Sequence, residues 1–482
     1  MKNQNIKSKV ISSLIWKILE RGGTQGIQFL VQIILARVLA PNDYGIISLI
    51  AIFITIANVF VQSGFNTALI QKKEADEKDF SSVFYLSLFV ATLLYILLFF
   101  ISPCIANFYG MQELVSVLRV LSITLFFGAL NSIQNAVIAK RMQFKNLFFS
   151  SLASMVLSGC IGIILAYAGF GVWALVTQQL INQFLITVIL WFTVKWRPNL
   201  TFSFERVKML FSYGWKLLVS ALIDTLYMNL RSLIIGKIYN PAMLGFYNRG
   251  DQFPQLIVSN INGSIQSVML PALSSEQSNR QRVKEMVRRS IVTSSFIVFP
   301  IMIGLAVIGE PLIKILLTDK WLPCVPFLQV FCLSYALWPI HTANLQAINA
   351  LGRSDIFLKL EIIKKIIGIT ILVVSMFYGV YAIAIGTLVS GIISTFINAY
   401  PNLKLLNYSY KEQWKDIMPS LILSLVMGIF IYTVQWLHIK AEFILILQIC
   451  SGVIIYVTMA KIFKLECFIY LLNTIKNRKR GE

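Results

Sequence analysis

Long apolar segments alternate with short polar ones along the whole chain. The apolar segments consist mostly of Leu, Ile, Val, Phe and Ala, and they recur through all 482 residues. A helix needs about 20 apolar residues to cross the hydrocarbon core of a bilayer, and these segments reach that length. Lipid offers no hydrogen-bond partners to the backbone, so each crossing segment is expected to be helical. The pattern predicts an all-α polytopic membrane protein.

The predicted transmembrane helices number about fourteen. They cover residues 12–39, 44–70, 81–109, 115–138, 147–168, 172–194, 210–238, 245–273, 291–317, 323–348, 357–377, 380–403, 418–437 and 441–463. Hydrophobic residues make up 57% of the chain and charged residues 13%, and the mean hydropathy is +0.74. A soluble domain has about twice that share of charged residues, so the composition supports the membrane assignment.

The formal net charge of +21 is concentrated in alternate loops and at both ends. Clusters of Lys and Arg occupy one side, at 2–9, 72–78, 140–145, 195–208, 280–289, 404–415 and 464–480, whereas the opposite loops carry Lys320 and Lys440. Because Lys and Arg collect in cytoplasmic loops, the pattern predicts a multi-pass membrane protein with both termini in the cytoplasm, and no cleavable signal peptide is expected. The charge indicates contact with anionic membrane lipids and not nucleic-acid binding.

Part of the sequence recurs after a shift of 200 residues. Ala-Arg-Val-Leu-Ala-Pro at 36–41 is followed by Gly45, and Gly-Lys-Ile-Tyr-Asn-Pro at 236–241 is followed by Gly245. A second, weaker match between the two halves lies later in each half, so the two matches follow in the same order. Pro41 and Pro241 are therefore expected to occupy equivalent gating positions at the outer ends of two helices.

The repeat predicts two parallel six-helix lobes, residues 1–209 and 210–403. An even number of crossings separates the repeats, so the lobes are related by an axis along the membrane normal, as in one class of transporters. Residues 404–482 fall outside the repeat and are expected to add a helix pair and a basic cytoplasmic tail. A substrate path is expected between the lobes.

Polar side chains share one face of several predicted spans, since their spacing follows the helical repeat. The predicted substrate cavity is lined by Arg21, Gln25, Gln28, Gln32, Asn58, Gln62, Lys216, Asp224, Tyr227, Arg231, Arg249, Gln252 and Asn262. Amides and hydroxyls suit sugars, whereas Arg and Lys suit a phosphate. The alternative for isolated amides is hydrogen bonding between helices, and for Asp224 a structural ion pair with Arg231 or Lys216.

Asp224 and His341 are the candidates for proton coupling, because intramembrane ionisable groups are costly and histidine titrates near neutral pH. A structural role for His341 is the alternative. No other cofactor is expected. The sequence has no Walker-type motif, no metal-ligand spacing and no paired carboxylates, and no outer loop is long enough for a catalytic domain. We therefore expect neither catalytic residues nor enzymatic activity.

The stretch from Leu19 to Lys73 contains ARVLAPNDYG followed by SGF and ALIQKK. It resembles the opening of bacterial Wzx-type polysaccharide flippases, which serve O-antigen, colanic-acid or teichuronic-acid export. These belong to the multidrug/oligosaccharidyl-lipid/polysaccharide exporter superfamily, whose drug exporters are known as MATE transporters. The length, the span count and the two-lobe plan agree with this family along most of the chain.

The resemblance implies an alternating-access flippase for oligosaccharide repeat units linked to undecaprenyl pyrophosphate. A polysaccharide polymerase and chain-length machinery are further partners that this function suggests. One alternative is a drug/cation antiporter of the same superfamily, which would need an anionic cavity. A polysaccharide polymerase or lipid-linked glycosyltransferase is another, and it would need catalytic residues on a substantial outer loop.

Overall fold

The structure is a computed structural model that describes residues 2–62, 69, 76–437 and 439–480. The regular secondary structure of these residues is helical, with eighteen α-helices and two short 3-10 helices. The SGF…ALIQKK part of the family motif, apart from Leu69, lies outside the described residues. The predicted all-α fold is confirmed.

Nine helices begin among the described residues of the first half of the chain. The helices are α1 (Lys2–Val38), α2 (Pro41–Gln62), α3 (Glu77–Tyr109), α4 (Glu113–Leu121), α5 (Thr124–Arg141), α6 (Phe144–Tyr167), α7 (Val172–Thr193), α8 (Phe204–Ile238) and α9 (Pro241–Ser275). Proline at the first position of α2 and α9 suits a helix start, because the missing N–H would have no partner there.

The second half of the chain contains the helices α10 to α18 and the two 3-10 segments. They are α10 (Arg280–Val307), α11 (Gly309–Leu317), a 3-10 helix (Asp319–Cys324), α12 (Val325–Ala336), α13 (Trp338–Ala350), α14 (Ser354–Ser375), α15 (Val380–Leu406), α16 (Tyr410–Thr433), a 3-10 turn (Val434–Trp436), α17 (Ala441–Ile462) and α18 (Glu466–Arg480). The predicted span 323–348 is divided between α12 and α13, where Pro339 removes a backbone donor near the start of α13.

Twelve helices or helix pairs in the described chain are long and apolar enough to cross a membrane. The helices α1 and α14, predicted as spans 12–39 and 357–377, are not among them. In α14 the reason is charge, since four charged residues lie within 359–365. In α1, Glu20 and Arg21 together with Gln25, Gln28 and Gln32 make the helix too polar. The chain is a multi-pass membrane protein, but the predicted count of fourteen spans is not confirmed.

By its internal contacts the chain divides into two compact units, Met1–Gly245 and Phe246–Glu482. This division follows contact density, whereas the predicted lobes 1–209 and 210–403 follow the sequence repeat. The predicted lobes and the appended segment 404–482 therefore stay a prediction.

In the first unit, α6 packs between α1 and α7, and α2 packs against α5 and α8. Glycines on α6 allow this close packing. A Cβ built on Gly159 would lie 2.5 Å from Cγ2 of Val31 on α1, and one on Gly162 would lie 2.7 Å from Cβ of Gln178 on α7. A larger residue at either position would push the neighbouring helix away, because cores of this density cannot absorb an extra methyl group without strain.

The segment 195–203, which joins α7 to α8, has no regular secondary structure and is anchored to the start of α3. The indole of Trp196 is buried at 3% exposure and donates from Nε1 to Oε2 of Glu77 at 2.7 Å. The Arg206 guanidinium reaches Oδ1 of Asp76 at 2.5 Å and Oδ1 of Asp79 at 3.2 Å. The buried indole of Trp196 and the carboxylates of Asp76, Glu77 and Asp79 thus hold the connection between α7 and α8 against the start of α3.

The anchor predicts a pH-dependent contribution to stability. The backbone N–H of Asp79, together with Arg206, lowers the pKa of the Asp76 carboxyl. A carboxyl with a lowered folded-state pKa stabilises the fold above its unfolded pKa of about 3.9, and this stabilisation is lost as pH falls through the folded pKa. We expect Arg206→Gln to lower the thermal unfolding midpoint slightly at pH 7, because exposed ion pairs contribute little, and by a shrinking margin below about pH 4.

The measurement is a series of thermal unfolding scans in detergent between neutral and acid pH. Lys404→Gln removes the same charge from an exposed position and serves as the control. A margin between Arg206→Gln and wild type that stays constant into acid would contradict the role given to the Asp76 carboxylate.

In the second unit, α10 packs along α16 and also contacts α12 and α13. Arg288 of α10 joins three helices, because its guanidinium reaches Oδ1 of Asp416 at 2.9 Å and Oε2 of Glu466 at 3.1 Å. Tyr456 of α17 donates to the backbone oxygen of Phe296 at 2.8 Å. The helices that follow the predicted repeat are thus packed directly onto α10.

Candidate functional site

A polar cavity of about 310 Å³ lies inside the first unit, among α1, α2, α5, α6 and α7. Eight of its lining side chains are amides: Gln28, Gln32, Asn58, Gln62, Gln178, Gln179, Asn182 and Gln183. The remaining lining residues are Ala51, Ile54, Thr124, Gly128 and Met155. None of the lining side chains is ionisable, so the cavity offers hydrogen bonds without charge. We call it the amide cavity.

Helical spacing explains how these amides come to one place. Gln28 and Gln32 are four residues apart on α1, as are Asn58 and Gln62 on α2. Side chains four apart lie above one another on a helix, so each pair presents a double polar surface. On α7 the sequence Gln-Gln-Leu-Ile-Asn-Gln supplies two such pairs side by side.

Gly128 makes room for the amides of α2. A Cβ at this position would lie 2.8 Å from Oδ1 of Asn58 and 3.0 Å from Nε2 of Gln62. The two amides also contact each other, with Nε2 of Gln62 donating to Oδ1 of Asn58 at 3.3 Å. The missing side chain of Gly128 is therefore part of the shape of the amide cavity.

Of the thirteen predicted cavity residues, the structure brings Gln28, Gln32, Asn58 and Gln62 together around the amide cavity. The four amides of α7 complete it and were not predicted. Their signal was present in the sequence as the two pairs with a spacing of four. Gln25 is half-buried on α1 and is not among the lining residues.

The predicted charged residues of the first unit lie outside the lining of the amide cavity. Arg21 on α1 and Lys216 and Asp224 on α8 are exposed. Arg231 is half-buried, and its guanidinium lies 5.7 Å from the ring centroid of Tyr227, one helical turn earlier. The first unit thus separates its charged groups from its cluster of amides.

The predicted residues of the second unit are in different surroundings. Arg249 is buried at 5% exposure, lies 5.0 Å from the Trp321 ring centroid, and donates to Oε1 of Gln252 at 2.6 Å. Asn262 is also buried, at 5% exposure. The guanidinium of Arg249 is thus held by groups of its own unit.

His341 contacts two uncharged side chains of α15. Its Nδ1 lies 3.1 Å from Nδ2 of Asn398, and its Nε2 lies 3.3 Å from Oγ1 of Thr395. Thr395 in turn donates to the backbone oxygen of Gly391 at 3.0 Å, which leaves its oxygen to accept from Nε2–H. These contacts suit a neutral ring, and proton coupling through His341 or Asp224 stays a prediction.

Buried amides of the second unit bond to each other. Nδ2 of Asn402 donates to Oδ1 of Asn344 at 2.7 Å, and Nδ2 of Asn344 donates to Oε1 of Gln413 at 2.9 Å. The three residues lie on α15, α13 and α16, so this cluster holds helices together, as amides commonly do in membranes. The amides of the first unit differ, because they surround open space.

The starts of α2 and α9, both within the first unit, meet at their backbones. A Cβ built on Gly45 would overlap the carbonyl oxygen of Pro241, and one built on Gly245 would overlap the carbonyl oxygen of Pro41. Gly236 adds to this contact, since its Cβ would lie 2.9 Å from Cδ1 of Leu49. The repeat predicted that these positions are equivalent, and the structure adds that they contact each other reciprocally.

The chain is similar along most of its length to proteins named for polysaccharide biosynthesis. The teichuronic acid biosynthesis protein TuaB of Bacillus subtilis (strain 168) is 25% identical over 411 residues, covering 83% of this chain and 84% of that protein. The succinoglycan biosynthesis transport protein ExoT of Rhizobium meliloti (strain 1021) is 22% identical over 351 residues, covering 73% of this chain and 71% of that protein.

A solved structure of the lipid II flippase MurJ, in an inward closed conformation, superimposes with a TM-score of 0.74 at 17% identity. The match covers 93% of this chain and 98% of that one, and it establishes a shared fold. The model of a family described as polysaccharide biosynthesis protein matches residues 34–326. The predicted resemblance to polysaccharide exporters is confirmed, and the chain belongs to this polysaccharide biosynthesis protein family.

Proposed function

We propose that this protein is a flippase that moves lipid-linked oligosaccharides across the bacterial cytoplasmic membrane for surface polysaccharide biosynthesis. The observation that carries the proposal is the amide cavity, a cluster of uncharged hydrogen-bonding groups among membrane helices. Polar groups at this depth are costly in lipid and are kept where they serve a substrate path or a helix contact. Membership of the polysaccharide biosynthesis family and the transport function in the name of ExoT support the same conclusion.

In this mechanism the oligosaccharide crosses through the protein while the lipid tail stays in the bilayer. The carrier is undecaprenyl pyrophosphate, the substrate is loaded from the cytoplasm, and both termini are cytoplasmic. Two lobes move against each other in alternating access. The starts of α2 and α9 touch at Gly45 and Gly245, at the end of α1 away from the N terminus. Release of the substrate at this end would require the two helix starts to separate. A polymerase and chain-length proteins would receive the product.

A drug/cation antiporter is the competing function, and the amide cavity is poorly suited to it. Organic cations are held by carboxylates or by aromatic faces, and the amide cavity has neither among its lining residues. Sugars, in contrast, carry hydroxyls that both donate and accept, as amides do. The chemistry of the lining therefore favours an oligosaccharide over a cation.

The cations of the first unit are proposed to bind the pyrophosphate. We expect the double variant Arg21→Ala/Arg231→Ala to reduce polysaccharide export at least about tenfold with normal protein levels in the membrane, since one charged hydrogen bond contributes about 1.5–3 kcal/mol. Arg353→Ala, which breaks an exposed pair with Asp355, is the control. Wild-type export by the double variant would remove the assignment of these two arginines.

The proposed function is tested by deleting the gene and locating the lipid-linked oligosaccharide. Sealed inside-out vesicles are labelled with an impermeant sugar-binding probe. Accumulation of completed units on the cytoplasmic leaflet, reversed by the wild-type chain, is the expected result. Units that reach the outer leaflet normally but are not polymerised would point to a polymerase instead.

A further inference from the structure

We propose that the amide cavity is a binding site for one uncharged sugar residue of the transported headgroup, and that it discriminates against acidic sugars. The inference rests on the proposed function and adds the class of sugar to it. It also assigns different parts of the first unit to the sugar and to the pyrophosphate.

The first support is that the cavity amides surround space rather than each other. The second unit shows the alternative, because the amides of Asn344, Asn402 and Gln413 donate to one another, although Oδ1 of Asn402 has no partner among the described residues. In the first unit, Oδ1 of Asn182 is buried without a hydrogen-bond partner among the described residues. Leaving a buried acceptor without a partner is costly, and a ligand hydroxyl that donates to it would recover that cost.

The second support is the match of functional groups. Each primary amide has two N–H donors and a carbonyl acceptor, and each sugar hydroxyl is both a donor and an acceptor. Eight amides on three helices can therefore satisfy the hydroxyls around a sugar ring from several directions. The lining contains no aromatic side chain, so the sugar would be held by its polar edge.

The third support is the absence of charge in the lining. A carboxylate that enters this cavity gives up part of its water and finds no cation among the described lining residues to compensate it. Burying a charge without a partner is far more costly than burying a hydroxyl that is hydrogen-bonded. Lys216 and Arg231, which suit a pyrophosphate, are not part of the lining.

The size of the cavity limits the ligand to part of a repeat unit. A volume of about 310 Å³ is at the lower end of the range for ligand pockets. It suits a single sugar ring, and the rest of the headgroup would lie outside. The space depends on Gly128, since any side chain there would meet the amides of Asn58 and Gln62.

The test uses purified full-length protein in proteoliposomes and two synthetic lipids, undecaprenyl pyrophosphate carrying either glucose or glucuronic acid. The two headgroups differ only at C6, a hydroxymethyl in one and a carboxylate in the other. Flipping is followed by loss of access to an impermeant reagent. We expect the glucose lipid to be flipped at least about tenfold faster, because a site built for hydroxyls rejects a group that it cannot pair.

Two variants link this preference to the amide cavity. Asn58→Asp and Gln28→Glu each place a carboxylate in the lining with little change of shape, and Gln28 is exposed enough that the variant should fold. Each change removes the two N–H donors of an amide, so both should slow flipping of the glucose lipid about two- to tenfold. Gln112→Glu makes the same change on an exposed loop and should leave the rate unchanged.

Equal rates for the two lipids, or a preference for glucuronic acid, would overturn the inference and leave the flippase function standing. Wild-type rates in both Asn58→Asp and Gln28→Glu would overturn it as well. Failure of the wild-type protein to flip either lipid would instead contradict the proposed function, and the sugar subsite with it.

Discussion

Replacing Gly45 with valine is expected to abolish transport while leaving the protein folded in the membrane. A Cβ at this position overlaps the carbonyl oxygen of Pro241, and a backbone atom cannot move aside as a flexible side chain could. The contact between the starts of α2 and α9 would then be lost. Overpacking costs about 1–3 kcal/mol and occasionally more, so we expect the closed contact to become ten- to a hundred-fold less populated.

The repeat provides a matched second variant. Gly245→Val should have the same effect, because its Cβ would overlap the carbonyl oxygen of Pro41. Gly304→Ala on α10 is the control, since its Cβ would lie 3.8 Å from Cε of Met427, an ordinary contact. Transport rates in proteoliposomes and the yield of folded protein are measured together. Wild-type transport by Gly45→Val would mean that closure of this contact is not required.

Filling the amide cavity is expected to have the second large effect. The leucine of Gly128→Leu would occupy the space now used by the amides of Asn58 and Gln62, which lie 2.8 and 3.0 Å from the Cβ position. We expect transport to fall at least about tenfold, because a ligand loses both the space and two hydrogen-bonding groups. Stability should change less, since the amides of Asn58 and Gln62 are the ends of flexible side chains that can turn into the open cavity.

The control for cavity filling is Ala153→Leu, which adds a leucine at an exposed position of the neighbouring helix α6. Transport rate and thermal unfolding midpoint are measured for both variants. Normal transport by a stable Gly128→Leu protein would show that the amide cavity is not on the substrate path.

The polar faces of single helices could be predicted from the sequence, but their meeting point could not. The spacing of Gln28 and Gln32 and of Asn58 and Gln62 predicted two polar faces, and the structure places these four residues around the amide cavity. Helical spacing says nothing about which faces of different helices point at one another, because that depends on packing. The close approach of α1 and α7 to α6 depends on Gly159 and Gly162, whose importance appears only in three dimensions.

The charged spans were the least predictable elements of the fold. The segments 12–39 and 357–377 are helical, as predicted, but the charged and amide side chains of the first and the charges of the second exclude them from the helices that are apolar enough to cross a membrane. Hydropathy averages over all faces of a helix, so it cannot tell a charged face that meets protein from one that meets lipid. The equivalence of Pro41 and Pro241 came from the sequence repeat, whereas the contact between the two helix starts did not.

The central claim is that this chain alone flips a lipid-linked oligosaccharide. The most direct measurement uses purified protein in proteoliposomes with a fluorescent undecaprenyl-pyrophosphate oligosaccharide in both leaflets and an impermeant quencher outside. A flippase makes the inner-leaflet lipid accessible, so nearly all of the fluorescence should be quenched. Quenching of only the outer half, as in liposomes without protein, would contradict the claim.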